Sequence, residues 1–220
     1  MDEGLIKVFG HISARVPGED RALILGHAHM EGHHLEQVTA DDIITIDMHG
    51  KWVEGRWEPP GERYIHTEIY ARRPDVQAVV HVHPPTVVAL SIADQPILPC
   101  WMLATPFAPR VPIFQQTVQI DNPEVGRAMA ECLGTARAIM FRSHGAATVG
   151  RSVEEASVLA VCLEETAKLQ VTAALMGRVR TIPEEDLEGG YTRGLTSDEF
   201  FSTMWEYHSH KANTRFGVEG

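Results

Sequence analysis

The chain has 220 residues, of which 44% are hydrophobic and 22% charged, a composition typical of one globular domain of ordinary size. Acidic residues number 30 and basic residues 19, and the resulting net charge of −11 argues against a surface for nucleic acid or anionic membrane. The expected partner is therefore a small molecule. No apolar stretch reaches the ~20 residues of a membrane span, and the acidic N-terminus does not resemble a secretory signal, so we expect a cytoplasmic protein.

Short strands come first among the predicted elements. RALILG, which begins at Arg21, and DIITIDMHGKWV, residues 42–53, have the apolar alternation and turn residues of strands. A pair of prolines then precedes residues 62–73, where apolar side chains recur every three to four positions. That spacing predicts an amphipathic helix.

The middle of the chain continues this alternation of strands and helices. Residues 76–83 are rich in β-branched side chains and bounded by prolines, which predicts a buried strand followed by a helix of about two turns. Asn122 and Gly134 are start and stop signals for a further helix, and ARAIMFRS, just before His144, predicts another strand. The pattern indicates a layered α/β domain.

Two capping signals mark the last predicted helices. Ser152 with Glu155 has the spacing of a capping box and opens a long helix that ends at about Met176. Thr196 with Glu199 repeats the same spacing before a C-terminal helix.

The stretch IPEEDLEGGYTRG, residues 182–194, is rich in proline, glutamate and glycine and is the one plausible hinge. We therefore expect a catalytic domain over residues 1–180. Residues 181–220 are expected to be a tail with one helix that packs at a subunit interface.

Histidine is unusually frequent, with 12 in the chain, and it is both the commonest metal ligand and a proton carrier near neutral pH. His81 and His83 lie two apart in a predicted strand, so both point to one face while Val80 and Val82 point to the other. Such a pair alone is equally compatible with histidines that face solvent. His144 follows a second strand, and three imidazoles with an open position would make a catalytic site for zinc, manganese or cobalt.

These motifs carry a resemblance to a known family. ARRPDVQAVVHVHPP, residues 71–85, followed by RSHGAATVG, residues 142–150, resembles the class II aldolase and adducin family. GHISAR, residues 10–15, is similar to that family's Gly-Asn-Ser-Arg loop, and the resemblance extends over about 9–176. It implies a three-layer α/β/α sandwich around a mainly antiparallel β-sheet. It also implies a homotetramer with active sites between subunits.

The resemblance further implies roles for particular side chains. His81, His83 and His144 match the three ligands of one divalent metal ion per subunit. Glu62 falls where the aldolases of this family have their catalytic glutamate. By residue type alone, Glu62 is equally well explained as a carboxylate favoured at the start of a helix. Glu68, the rival on the same helix, lies roughly 240° around the helix axis.

Two departures concern phosphate recognition. Sugar-phosphate aldolases of this family have paired serines just before the catalytic glutamate and a Thr/Gly-rich loop after the first strand. This chain has Pro60 and Gly61 in place of the serines, and GHAHMEGHH, residues 26–34, in place of the loop. A phosphorylated sugar is therefore not the expected substrate.

Histidines occupy places where relatives bind phosphate, and they suit a carboxylate instead. His11 replaces the asparagine of the first loop, and together with His27 and His29 it could donate hydrogen bonds to an anion. Drift of the loop sequence would also explain these histidines. The same substitutions, with the ERYIHTEIY helix of residues 62–70, are similar to a branch of hydroxy-aryl dicarboxylate decarboxylases.

Three functions follow from these features. We expect a metal-dependent carbon–carbon lyase that decarboxylates a small unphosphorylated hydroxy-aromatic (di)carboxylate. Reversible aldol cleavage of a hydroxy-carbonyl compound is the first alternative. A non-catalytic adducin-like assembly module is the second alternative. The complete histidine set favours an enzyme. Tyr207, in the tail, is a candidate proton donor or substrate lid, although a helix that also has Phe200 and Phe201 is equally explained by packing.

Overall fold

The computed structural model describes residues 4–6, 9–27, 37–187, 189 and 194–216. Their strands are His11–Arg15 (β1), Arg21–Leu25 (β2), Ile43–Asp47 (β3), Trp52–Glu54 (β4), Ala78–Val82 (β5), Ile113–Phe114 (β6), Ala138–Phe141 (β7) and Gly145–Gly150 (β8). They form one sheet in the order β4-β3-β2-β1-β5-β8-β7-β6, and neighbouring strands are antiparallel except for β6 and β7.

Helices cover both faces of this sheet. A short 3-10 turn, Gly61–Arg63, leads into the first of them. The helices of the described residues are Tyr64–Arg72 (α1), Pro85–Ile92 (α2), Pro123–Leu133 (α3), Val153–Met176 (α4), Glu184–Leu187 (α5) and Asp198–Phe216 (α6).

The core has two main parts, one on each side of the sheet. Ile65 of α1 and Met129 of α3 are fully buried against one face. Val87 of α2 and Leu159 of α4 are fully buried on the other. Each burial of an aliphatic side chain of this size contributes roughly 1.5–3 kcal/mol. This arrangement confirms the predicted three-layer sandwich with a mainly antiparallel sheet.

Strand β5 is buried along its whole length, and its alternation follows the sequence pattern. Val80 and Val82 pack towards α4 with Ala156 and Ala160. The strand periodicity therefore turns His81 to the opposite face, which is the side covered by α1 and α3.

Strand β8 was not anticipated from the sequence, because GAATVG has small side chains and no apolar alternation. It pairs with β5 on one side and with β7 on the other. Residue His81 lies opposite Ala147 in the first of these pairs, and Phe141 opposite Gly145 in the second. The strand thus brings the HVH and SHG motifs to neighbouring positions of one sheet.

The helix caps differ in detail from the two predicted boxes. Ser152 accepts a hydrogen bond from the backbone N–H of Glu155, but the Glu155 carboxylate accepts from Arg151 N–H at 2.8 Å, one residue before the cap. The prediction that Thr196 opens the last helix is wrong by one residue. The hydroxyl of Ser197 accepts from the backbone N–H of Phe200 at 3.2 Å, and α6 begins at Asp198.

Helix α6 packs onto α4. Phe201 is 3% exposed there, and Phe200, Met204 and Trp205 pack around the same cluster. No helix within the described ranges is long and apolar enough to cross a membrane.

A buried carboxylate joins α4 to the start of α2. Glu164 is 1% exposed and accepts hydrogen bonds from Thr86 N–H at 3.2 Å and Val87 N–H at 3.1 Å. It also accepts one from the Thr86 hydroxyl at 2.7 Å. These are the amides that a helix start leaves unpaired, and they lie directly after the HVH segment.

We expect Glu164→Ala to lower the free energy of unfolding in urea by about 3 kcal/mol, because the buried amides of α2 lose their acceptor. Lys168→Ala is the matched control. This variant removes an ion pair in which Lys168 Nζ lies 3.5 Å from Glu164 Oε1, and the lysine side chain is 55% exposed. It should change the free energy of unfolding by less than about 1 kcal/mol. Similar losses in both variants would contradict a capping role for Glu164.

Candidate active site

His81 of β5 and His83, the residue directly after that strand, are each held in one tautomer by a backbone carbonyl. His81 Nδ1 lies 3.0 Å from the carbonyl oxygen of Ala146, and His83 Nδ1 lies 3.0 Å from that of Phe9. A carbonyl oxygen only accepts, so each Nδ1 carries the hydrogen and donates it. Each Nε2 therefore has a free lone pair, as a metal-binding imidazole requires.

The Glu62 carboxylate faces these two imidazole rings and also the ring of His144. Its Oε2 is 3.5 Å from His81 Nε2, and its Oε1 is 3.4 Å from His144 Nε2. One potential ligand atom from each of Glu62, His81, His83 and His144 lies within 4.8 Å of the others. Within the part of the chain that the structure describes, the fully buried His81 Nε2 has no hydrogen-bond partner. A lone pair that faces a carboxylate in this way needs a positive charge, which a proton or a metal ion can supply, so the residues present fit a divalent metal ion.

The protonation of Glu62 is governed by its neighbours. Burial disfavours the charged carboxylate, but the imidazoles of His144 and His81, when protonated at Nε2, hydrogen-bond to it and attract it, and this holds the pKa of Glu62 well below its usual value. The backbone N–H of Ile120 also donates to Oε1 at 3.3 Å. Glu62 is therefore an ionised group at neutral pH, and its orientation is set from two sides.

A tight turn between β7 and β8 presents His144. Ser143 has a positive φ of 60°, and its backbone N–H donates to the Ser91 hydroxyl at 3.1 Å. Gly145 then passes so close to β5 that an added Cβ would lie 2.5 Å from the carbonyl oxygen of Val82 and 2.7 Å from Cδ2 of His83. Only glycine, which has no Cβ, fits where the chain at Gly145 passes the end of β5.

Gly145→Ala should therefore displace the end of β5 and reduce turnover by about 100-fold, the usual cost of misplacing reacting groups by about 1 Å. Metal content should fall as well. Gly194→Ala is the control, because an added Cβ there meets no atom of the described residues within 4 Å. Normal metal content and turnover in Gly145→Ala protein would refute the close approach.

A cavity of about 580 Å³ opens beside the cluster. Glu62, His83 and His144 line it, and so do His11 and His27, the two predicted substrate contacts. Pro60 and Gly61, which replace the serines of sugar-phosphate aldolases, are also part of its wall. The geometry thus collects six of the seven predicted site residues, since His81 lies in the same cluster.

Two other candidate residues, Tyr207 and Glu68, lie away from this cavity. Tyr207 is 63% exposed on α6 and is not among the described residues that line this cavity. His29 lies outside the described residues. Glu68, the rival carboxylate, is half-buried and points towards α3, where its Cγ lies 2.8 Å from the place of an added Cβ on Gly126.

Sequence reasoning missed two groups of residues around the cavity. Thr117, Val118 and Gln119 contribute to the wall from an irregular segment that has no motif. His66 is fully buried in α1, four residues after Glu62, and its Nε2 lies 2.7 Å from His11 Nδ1. The signal for His66 was present, because in the predicted helix of residues 62–73 a polar residue four positions after Glu62 shares its face. In the structure, Glu62 lies in the 3-10 turn just before α1.

Most of the chain is similar to proteins of one known family. The sequence profile of the Class II Aldolase and Adducin N-terminal domain family matches residues 2–171. The 3,4-dihydroxyphthalate decarboxylase of Arthrobacter keyseri is 33% identical over 195 residues, which are 82% of this chain and 76% of that protein. The L-fuculose phosphate aldolase of Methanococcus vannielii is 31% identical over 142 residues, 63% of this chain and 74% of that protein.

A solved structure confirms the fold. L-fuculose 1-phosphate aldolase from Glaciozyma antarctica PI12 superposes with a TM-score of 0.81 at 21% identity, over 98% of this chain and 84% of that chain. The relatives by sequence are decarboxylases and aldolases, which are lyases, and this chain is accordingly an enzyme of the lyase class rather than an assembly module. From the profile match and these relatives, the chain belongs to the class II aldolase and adducin family.

Proposed function

We propose that this enzyme is a metal-dependent carbon–carbon lyase that decarboxylates a small unphosphorylated hydroxy-aromatic (di)carboxylate. The observation that carries the proposal is the ionised Glu62 carboxylate, which faces three imidazoles at the edge of a cavity of about 580 Å³. The relative named as a 3,4-dihydroxyphthalate decarboxylase supports the same reaction type.

The metal ion of the proposal is zinc, manganese or cobalt, one per subunit, held by His81, His83 and His144. The free Nε2 lone pairs of the first two and the orphaned nitrogen of His81 support these ligands. When bound, such an ion supplies a Lewis acid that polarises oxygen ligands and stabilises negative charge. The remaining chemistry is that of the chain's own side chains.

The cavity has the mixed lining that a hydroxy-aryl acid needs. Phe9, Leu25 and Val118 provide apolar surface, and His11 and His27 provide polar groups on the same wall. Its volume is in the range of sites for small ligands. An aromatic ring would lie against the apolar side chains while a carboxylate reaches the imidazoles.

The wall next to Glu62 favours a carboxylate over a phosphate ester. Pro60 has no backbone N–H and Gly61 has no hydroxyl, so two donors that would hold a doubly charged phosphate are missing. A carboxylate needs fewer donors, and imidazole N–H groups can supply them.

Glu62 is proposed to move the proton of the reaction. Its ionised carboxylate accepts the proton of the substrate hydroxyl and returns it to the ring carbon when the bond to the departing CO₂ breaks. The electron pair of that bond stays on the carbon, which takes the proton. The N–H of Ile120 at Oε1 keeps the carboxylate aimed at the cavity throughout.

Aldol cleavage is the second candidate, and the 31% identical L-fuculose phosphate aldolase supports it. The same carboxylate would then act as the base towards a hydroxy-carbonyl compound. The two reactions differ in their products and in the anionic group of the substrate.

We expect a turnover panel to separate the two candidates. Ortho-hydroxy aromatic acids, including 3,4-dihydroxyphthalate, should release CO₂, whereas sugar phosphates should yield no dihydroxyacetone phosphate, lactaldehyde or pyruvate. Millimolar inorganic phosphate should inhibit weakly, because the serine donors are absent. Efficient cleavage of a sugar phosphate with no response to aryl carboxylates would overturn the proposal in favour of an aldolase.

The proposal extends to a homotetramer with active sites between subunits. Tyr207 is exposed and away from the cavity lining of its own chain, so a role as proton donor or lid requires a neighbouring subunit. Sedimentation equilibrium, together with the turnover of Tyr207→Phe protein, tests both parts.

A further inference from the structure

A chain of hydrogen-bonded side chains runs from the cavity into the core. His11 Nδ1 lies 2.7 Å from His66 Nε2, and His66 Nδ1 lies 2.6 Å from the Ser13 hydroxyl. The Ser13 hydroxyl lies 2.7 Å from the Tyr70 hydroxyl. His66 is 0% exposed, Ser13 1% and Tyr70 2%, so only the His11 end reaches the cavity.

Two regular elements place these four groups together. His11 and Ser13 alternate on one face of β1, and His66 and Tyr70 lie one turn apart on α1. Arg15, two residues further along β1, fixes the far end of the chain. Its guanidinium lies 4.6 Å from the centre of the Tyr70 ring and donates to the Tyr70 carbonyl oxygen.

Because His66 is neutral, the hydrogen bonds that connect these side chains run in one direction. Both of its ring nitrogens meet neutral groups, and no carboxylate hydrogen-bonds to it in the described structure. Burial, followed by repulsion from His81 when that ring is protonated, lowers the pKa of His66 to about 3 against the opposing effect of Glu62. A neutral imidazole has one N–H, so one nitrogen donates and the other accepts.

The buried hydroxyl groups decide which nitrogen donates. If His66 accepts at Nδ1, then Tyr70 donates to Ser13, Ser13 to His66 and His66 to His11, and every buried hydrogen has an acceptor. In the opposite direction, one hydroxyl hydrogen of Ser13 or Tyr70 remains buried without an acceptor among the described residues, which is costly. The first direction is therefore favoured.

In this direction His11 accepts at Nδ1 and carries its hydrogen on Nε2. This is the reverse of His81 and His83, whose Nδ1 atoms donate to carbonyls and whose Nε2 atoms are free. His11 thus offers the cavity a donor, whereas the cluster beside it offers lone pairs.

We propose that His66 is a positioning residue that, with Ser13 and Tyr70, holds His11 as the Nε2–H tautomer, so that His11 donates to a carboxylate of the substrate. The substrate part rests on the proposed function, whereas the tautomer does not. His11 is then excluded as a metal ligand or base at Nε2. Its role is to recognise an acceptor anion.

The experiment uses zinc-loaded protein, with phthalate (benzene-1,2-dicarboxylate) as an unreactive probe. Ser13→Ala should raise the Kd of phthalate by about 10-fold, and Tyr70→Phe, which removes one donor further away, by about 3-fold. Tyr64→Phe is the matched control on the same helix, since the Tyr64 hydroxyl contacts Arg63 instead. It should change the Kd by less than about 2-fold. Zinc content should be the same in all four proteins.

The tautomer itself is measured by nitrogen-15 NMR of labelled histidine rings, with the His11 signals assigned from their loss in His11→Gln protein. The parent protein should have the hydrogen on Nε2, and Ser13→Ala should show a mixture. A hydrogen on Nδ1 in the parent protein would overturn the proposal. So would equal phthalate affinity in the parent, Ser13→Ala and Tyr70→Phe proteins. If the parent does not bind phthalate, the carboxylate site of the proposed function fails, and the NMR result still decides the tautomer.

Discussion

His81→Ala, His83→Ala and His144→Ala proteins should each bind a divalent metal at least about 100-fold more weakly than the parent, and their turnover should be undetectable. The expectation is strongest for His81, whose Nε2 is fully buried without a hydrogen-bond partner among the described residues and faces the Glu62 carboxylate at 3.5 Å. With Nδ1 donating to Ala146, a proton or a metal ion at Nε2 would satisfy both the imidazole and the carboxylate. Elemental analysis of protein purified without chelator, together with titration of zinc or manganese, measures the loss.

His49→Ala is the control for these variants. His49 is exposed in the turn after β3, and its loss should leave metal content unchanged. Circular dichroism should give the same spectrum for all variants, because the ligands lie at strand ends rather than inside the helices. Full metal occupancy in all three alanine variants would remove the metal site from the mechanism.

Glu62→Gln is expected to lower kcat by ~10² to 10⁴, the usual contribution of a placed proton-transfer group. The amide has nearly the same shape but cannot accept a proton at neutral pH. Fold should be unchanged. Metal content should remain close to that of the parent if the three imidazoles are the principal ligands.

Glu68→Gln, on the helix that follows Glu62, is the matched control. Its side chain is directed towards α3 rather than the cavity, and its turnover should stay within about 2-fold of the parent. If Glu62→Gln protein kept turnover within a few-fold, Tyr207 or a histidine would have to carry the proton instead.

Local patterns in the sequence were sufficient for most of the elements. Period-two alternation in 76–83 predicted β5 and the common face of His81 and His83, because that alternation is a property of the extended backbone itself. Asn122 accepts from the amides of Glu124 and Val125 as a helix cap does, and α3 begins at Pro123 as predicted. The resemblance to the family supplied Glu62, which residue type alone left ambiguous.

The elements that the sequence did not predict are those whose structure depends on neighbouring strands or helices. β8 is a strand because β5 and β7 flank it, and its small side chains allow the close approach at Gly145. The start of α6 was misplaced because Thr196 and Ser197 are both suitable caps, and only the docking of Phe201 on α4 selects between them.

By itself, the sequence determined which residues can take part in the chemistry and which face of its own strand or helix each one occupies, since both follow from residue type and backbone period. Only the tertiary structure decided which of those faces meet. Glu62 in a 3-10 turn, His81 in β5 and His144 in the turn between β7 and β8 meet at one place, and His66 reaches His11 across 55 residues of chain. The tautomers of His11, His81 and His83 could likewise not be predicted from the sequence. A ring nitrogen donates or accepts according to the neighbour it meets, and those neighbours come from other elements of the fold.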